Sequence, residues 1–176
     1  MKIAVMATGG VGGVFGAKLA QAGENVTFIA RGAHLEAIQN NGLTIAGDDG
    51  NQVLENIQTN DDPEAVGLVD VVMFAVKLWD TESAAEFCKP MLGPNTVLIP
   101  FQNGVVSTET ISKIIGEAHT GRGLSRVSAS IEAPGVIRQV GSFASLAFAE
   151  ADGAQSPRME DFLAACKRAG IDAEIP

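Results

Sequence analysis

Ile3-Ala4-Val5-Met6-Ala7-Thr8-Gly9-Gly10-Val11-Gly12-Gly13-Val14-Phe15-Gly16-Ala17-Lys18-Leu19-Ala20 is the stretch that decides the fold. Its first five residues are a short apolar run that ends at glycines. Such a run fits a strand buried on both faces, as in a parallel sheet, better than an alternating surface strand. From Gly12 onward Val14, Phe15, Lys18, Leu19 and Ala22 recur at helical spacing, and Gly23 stands where a helix C-cap favours glycine. A strand that hands over to a helix through glycines is the context of a dinucleotide-binding turn. A glycine at the helix start lets a pyrophosphate approach the backbone, where free N–H groups and the helix dipole receive its charge. In the pattern G-x-G-x-x-G, Gly9 and Gly12 supply the second and third glycines, while Ala7 fills the first position. A methyl group there is expected to push the loop away from the phosphates or weaken binding. The competing reading is a glycine-rich turn with no ligand.

Working outward, the pattern predicts a strand at 26–30 and a short helix at 34–40, stopped by Asn41-Gly42. Alternating segments at 43–45 and 52–54 flank Gly47-Asp48-Asp49-Gly50 and predict a hairpin outside the parallel sheet. The most hydrophobic run, 69–76, predicts a central strand. A helix from Thr81 or Glu82 to Lys89 follows, ended by Pro90. Next come a strand at 96–99, a helix at 108–115 and a strand at 119–127. Strand signals at 136–139 and 146–149, with Gly141-Ser142 between them, predict a late antiparallel pair. A last helix spans 157–168 and stops at Gly170. The expected class is α/β, a Rossmann-type doubly wound, mostly parallel sheet with a late antiparallel strand pair. Residues 1–176 are read as one dinucleotide-binding domain, with no repeat or linker dividing them.

Composition agrees. A length of 176 residues suits one domain, against a prior of about 100–200 residues per domain. Hydrophobic residues make up 46% and charged residues 19%, a balance that can bury a core and excludes disorder for most of the chain. With eight Phe, one Trp and no Tyr, that core must be aliphatic, with 20 glycines threaded through it. Twelve basic against 21 acidic residues give a net charge of −9, which repels polyanions and argues against nucleic acid as a partner. Cys88 and Cys166 are too far apart for a small disulfide scaffold and read as buried, reduced thiols. With His34 and His119 also isolated, no metal site is expected. The apolar N-terminus imitates a signal peptide, but Gly9, Gly10, Gly12 and Gly13 would break its helix. No other apolar run reaches the ~18 residues of a membrane span, so a soluble, cytoplasmic protein is expected.

Three further residues stand out. At the end of the second strand, where an NAD site carries Asp or Glu for the ribose hydroxyls, the chain has Ala30-Arg31-Gly32. A guanidinium there suits a 2′-phosphate and favours NADP; the competing reading is a solvated cation. Lys77 and Asn103 each follow a predicted strand's carboxyl end, where ligands of open α/β sheets bind. A snorkelling lysine and a plain Asn-Gly turn are their structural alternatives.

These residues together resemble the N-terminal half of the ketopantoate reductase (2-dehydropantoate 2-reductase) family. The resemblance rests on Met1-Lys2-Ile3-Ala4-Val5, the glycine cluster running to Ala20, and Ile29-Ala30-Arg31-Gly32 leading to Asn41-Gly42-Leu43. It continues in Val76-Lys77-Leu78-Trp79-Asp80-Thr81, Gln102-Asn103-Gly104-Val105 and Ala133-Pro134-Gly135-Val136-Ile137. It implies NADPH bound across a Rossmann domain and hydride transfer to the keto carbon of ketopantoate, a small 2-oxo acid. By the same resemblance Ala7, Thr8, Gly9, Gly10, Val11 and Gly12 hold the pyrophosphate and Arg31 meets the 2′-phosphate. Lys77 sits on the cofactor side, Asn103 touches cofactor and substrate, and Ala129 offers a backbone contact to the cofactor. Ala7 departs from the pattern, as does Arg138-Gln139 where relatives often carry a histidine.

The family's proton donor is a lysine at the start of a helical C-terminal domain, and Ile171-Asp172-Ala173-Glu174-Ile175-Pro176 resembles the stretch just before it. Without that general acid, a factor of about 10²–10⁴ in rate is expected to be lost. The protein partner is then either a second copy, as a homodimer, or a separate C-terminal catalytic domain. Two other functions compete: a non-catalytic NADP(H)-binding or sensing module, and another hydroxyacid-type dehydrogenase. The latter ranks lower because such relatives generally lack the paired Val-Lys-x-x-x-Thr and Gln-Asn-Gly segments.

Overall fold

The structure is a computed structural model that describes residues 1–102 and 106–176. The chain opens with β1 (Lys2–Met6), α1 (Gly10–Gln21), β2 (Asn25–Ile29) and α2 (Gly32–Asn41). A hairpin of β3 (Leu43–Gly47) and β4 (Gly50–Leu54) follows, then β5 (Gln58–Asn60), α3 (Pro63–Val66) and β6 (Val69–Phe74). After a 3₁₀ turn at Leu78–Asp80 come α4 (Thr81–Cys88), β7 (Leu92–Pro100) and α5 (Val106–Ile115). The remainder is β8 (Gly121–Ala133), β9 (Val136–Glu150), α6 (Pro157–Arg168) and β10 (Asp172–Glu174).

Alternation along β1 explains the layers. Ile3 and Val5 enter one core with Phe15 and Leu19 of α1 and Phe162 of α6. Ala4 and Met6 enter a second core with Ala85 and Cys88 of α4 and Ile111 of α5. Both faces of the parallel sheet, ordered β5-β2-β1-β6-β7, are therefore covered, as a sheet of continuous apolar strands requires. A second, mixed sheet runs β10-β9-β3-β4, with β8 paired to β9. Helix α1 lies between the two sheets, which is why it is apolar all round and rich in glycine. A Cβ at Gly16 would lie 2.7 Å from Phe28 Cε1 and 2.8 Å from Val5 Cγ2, so that side packs on the parallel sheet. A Cβ at Gly13 would lie 2.8 Å from Ile137 Cγ1 of β9 in the second sheet.

Most predicted elements are present, and the differences have local causes. Helix α1 starts at Gly10, two residues before the expected Gly12, because Gly13 N–H already bonds Gly9 O at 2.7 Å. The hairpin at 43–54 is antiparallel and lies outside the parallel sheet, as expected. The late antiparallel pair exists, but its partners are β8 and β9, not segments 136–139 and 146–149, which are one strand. Gly141-Ser142 marks a bulge: β8 register jumps from Ala144 to Gln139 across Val127 and Ala129, and residues 140–143 stand out from the ladder. Gly141 takes φ +70°, and its N–H is held by Asp48 Oδ2 at 2.8 Å, so the chain bends there without reversing. The short β5, α3 and β10 carry too little pattern to be predicted.

Two ion-pair clusters staple the periphery. Glu24 receives the N-terminal ammonium at 2.8 Å and Arg168 at 2.5 Å. Burial pushes the Glu24 carboxyl up, but the hydrogen bonds from these two cations outweigh it and hold the carboxyl below its usual range. Arg158 forks onto both Glu150 oxygens at 2.6 and 2.5 Å and also donates to Ala118 O at 2.9 Å, tying α6 to the strand edge. The Arg158 bonds depress the Glu150 carboxyl against the opposing effect of burial. Cys88 and Cys166 are free and buried. Among the described residues no helix is long and apolar enough to cross a membrane.

Candidate functional site

The strand order β5-β2-β1-β6-β7 reverses at β1, since the chain crosses first to one side and later to the other. Open α/β sheets bind ligands in the crevice outside the carboxyl ends at such a point. The ends of β1, β2, β6 and β7 all face it, which brings the Ala7–Gly12 loop, Arg31, Lys77 and the exit of β7 to one edge.

The loop is held from behind and open in front. Thr8 is buried, and both its N–H (3.0 Å) and its hydroxyl (2.9 Å) donate to Ile29 O, fastening the exit of β1 to the end of β2. Gly9, the N-cap of α1, has no side-chain cap, and the first turn of α1 carries no acidic residue. The N–H groups at that helix start are therefore ready for an anion. A Cβ on Gly9 would meet nothing within 4 Å, so the approach is clear. Gly12 is different: a Cβ there would overlap the Ala7 carbonyl and lie 2.7 Å from Val5 Cγ1, so its role is close packing of helix on strand. Gly10 has no room because the Ala129 carbonyl of β8 fills the space, which places the Ala129 backbone directly beside the loop. Ala7 is not among the residues with positive φ, so the backbone there does not demand glycine for a left-handed conformation. The loop thus fits a pyrophosphate.

Arg31 is exposed at the N-terminus of α2, and its side chain has no hydrogen-bond or ion-pair partner among the described residues. Next to it His34 joins the two sheets. Gly135 N–H donates to His34 Nδ1 at 2.9 Å, so the ring's hydrogen is on Nε2, which donates to Thr8 O at 2.7 Å. The loop is thereby pinned to the turn between β8 and β9.

On the other side of the crevice β6 ends at Phe74, three residues before Lys77. Ala75 N–H still bonds Met6 O, but β1 then runs out and the chain leaves the ladder. Lys77 is exposed, with its ammonium 5.1 Å from the centre of the Trp79 ring. Behind it Gln102, 6% exposed, donates from Nε2 to Val76 O (2.8 Å) and Thr81 Oγ1 (3.0 Å). Thr81 in turn donates to Leu78 O at 2.8 Å. Gln102 Oε1 is buried without a partner among the described residues.

The predicted Ala7, Thr8, Gly9, Gly10, Val11, Gly12, Arg31, Lys77 and Ala129 thus lie along one edge, and Asn103 falls outside the described residues. His34, Thr81 and Gln102 were missed. The recurrence of Thr81 and Gln102 inside the paired Val-Lys-x-x-x-Thr and Gln-Asn-Gly segments was the available signal for two of them. His34 offered none.

The model of the family described as Ketopantoate reductase PanE/ApbA matches residues 3–153. A 2-dehydropantoate 2-reductase of Mesorhizobium japonicum is 40% identical over 106 residues, covering 60% of this chain and 32% of the relative. The crystal structure of 2-dehydropantoate 2-reductase from Porphyromonas gingivalis W83 superposes with a TM-score of 0.94 at 32% identity, covering 100% of this chain and 64% of that one. D-mandelate dehydrogenase, solved with NADH and anilino(oxo)acetate, shares the fold with a TM-score of 0.89 at 21% identity, covering 100% of this chain and 57% of that one. The matched parts of the chain therefore span 32–64% of the length of these relatives. With the family model matched over residues 3–153 and the fold shared over the whole chain, the chain belongs to the ketopantoate reductase family.

Proposed function

We propose that this chain is the NADPH-binding half of an oxidoreductase that reduces 2-dehydropantoate or a similar 2-oxo acid to the 2-hydroxy acid. The observation that carries this reading is the uncapped start of α1, open at Gly9 and facing the crevice where the strand order reverses. Gly9, Gly10, Val11 and Gly12 hold the pyrophosphate through backbone N–H groups, aided by the positive end of the α1 dipole. Arg31, with no anion to neutralise it among the described residues, receives the 2′-phosphate and sets the preference for NADPH. Lys77 lies on the cofactor side of the cleft, and Asn103 joins cofactor and substrate. The Ala129 carbonyl beside Gly10 is a backbone acceptor at the same edge. NADPH supplies the hydride to the keto carbon; the chain's own residues bind, orient and exclude water.

Proton delivery to the nascent alkoxide belongs, by family resemblance, to a lysine on a helical domain outside this stretch. Residues 1–176 are therefore expected to bind NADPH. Fluorescence titration tests this reading: saturable NADPH binding, tighter than NADH, is expected, and no binding of either nucleotide overturns it. Adding the C-terminal domain of a relative together with ketopantoate should then restore NADPH oxidation. A chain that binds NADPH but stays inactive in that mixture would be a binding module instead.

A further inference from the structure

We infer that Gln102 is a positioning residue for Lys77, acting through Thr81; the inference rests on the nucleotide-binding reading above. Three successive carbonyls around the lysine are all tied down. Val76 O accepts from Gln102 Nε2 at 2.8 Å, Lys77 O accepts from Asp80 N–H at 2.9 Å, and Leu78 O accepts from the Thr81 hydroxyl at 2.8 Å. The first and third bonds share one source, because the second hydrogen of Gln102 Nε2 goes to Thr81 Oγ1 at 3.0 Å. The amide cannot be turned over, since Oε1 would then face the Val76 carbonyl. With its hydroxyl occupied as acceptor from Gln102, Thr81 is left to donate, and Leu78 O is the group it finds.

The network is dry. Gln102 is 6% and Thr81 5% exposed, while Lys77 and Trp79 are exposed. A buried strut under an exposed cation fixes where the cation's backbone starts without restricting the head group by direct contact. It also links two strand exits: Gln102 follows β7, whereas Val76, Lys77 and Thr81 follow β6. Gln102 thus ties the exit of β7 to Val76 and Thr81 beyond β6, so the spacing between the two strand exits is set by an amide between them.

The test is a double-mutant cycle on the full chain, with NADPH affinity read by nicotinamide fluorescence. Gln102→Leu is expected to weaken NADPH about tenfold when Lys77 is present and less than about twofold in a Lys77→Ala background. Thr81→Val should behave as Gln102→Leu does, and Thr81→Ser, which keeps the hydroxyl, should stay within about twofold of the parent. Trp79, the one tryptophan of the chain, gives a second readout without ligand. Its emission should shift in Gln102→Leu and Thr81→Val but not in Thr81→Ser. An equal loss of affinity in both Lys77 backgrounds, or no loss at all, overturns the inference while leaving the nucleotide-binding reading intact. Failure of the parent chain to bind NADPH removes both. Should Gln102→Leu not fold, the Thr81→Val and Lys77→Ala cycle carries the same test.

Discussion

Replacing Arg31 with alanine should abolish most of the discrimination between NADPH and NADH while leaving the fold intact. The guanidinium is exposed and has no side-chain partner among the described residues, so the protein gives up no internal bond when it is removed. Folding stability should change by less than about 0.5 kcal/mol, the usual range for a surface position without special contacts. Its value for the ligand follows from charge and exposure. In water-like dielectric, a unit pair at contact is worth about 1 kcal/mol, and a phosphate monoester carries about −1.5 to −2 charges near neutrality. The 2′-phosphate should therefore lose about 2 kcal/mol, which is roughly 30-fold in Kd. NADH, with a hydroxyl at that position, should lose almost nothing. The assay is fluorescence titration of both nucleotides against parent and variant, repeated at high salt, where screening over about 3 Å at 1 M should shrink the parent's preference and leave the variant's unchanged. If Arg31→Ala weakens NADH as much as NADPH, or lowers the thermal midpoint by more than about 4 °C, Arg31 is a structural residue and does not set a preference for NADPH.

Gly13→Ala should destabilise by about 1–3 kcal/mol by overpacking, because its Cβ would lie 2.8 Å from Ile137 Cγ1; in an Ile137→Ala background, which lacks that atom, Gly13→Ala should lower the urea midpoint less than it does in the parent. Glu24 contributes stability that is fully present above its unfolded pKa of about 4.3 and is lost as pH falls through its lower folded value, because its two cations favour the charged form. Glu24→Gln should therefore reduce the urea midpoint at neutral pH and flatten its decline on acidification below about pH 4. Burial pushes the thiols of both Cys88 and Cys166 up to about 12, so neither should react with a thiol reagent at mildly alkaline pH until the chain unfolds; rapid labelling of the native chain would contradict the packing.

What could be read from the sequence, and what could not, divides along a physical line. The parallel sheet was legible because β1 and β6 are apolar on both faces, and a strand covered on both sides has no polar period to confuse with a helix. Arg31 and Lys77 were legible because each breaks the local composition at the end of such a strand. The bulge of β9 was not, since Gly141 with positive φ reads the same whether the chain reverses or bends; Asp48, far off in the β3–β4 turn, decides it. His34 was invisible for the same reason: its two bonds reach Thr8 and Gly135, on opposite sides of it in sequence and in connections that belong to different sheets. The case of Gln102 and Thr81 lies between. Their recurrence in two paired segments was visible as pattern, but a pattern alone cannot say that the two touch. Once they do, the spacing within each segment follows from the bond between them. Thr81 must begin α4 four residues after Lys77, so that its hydroxyl reaches Leu78 O, and Gln102 must end in the gap behind Val76. A substitution that preserves each segment's local turn but breaks the Gln102–Thr81 bond should therefore loosen the lysine side of the crevice while leaving the Ala7–Gly12 loop, held separately by Thr8 and His34, where it is.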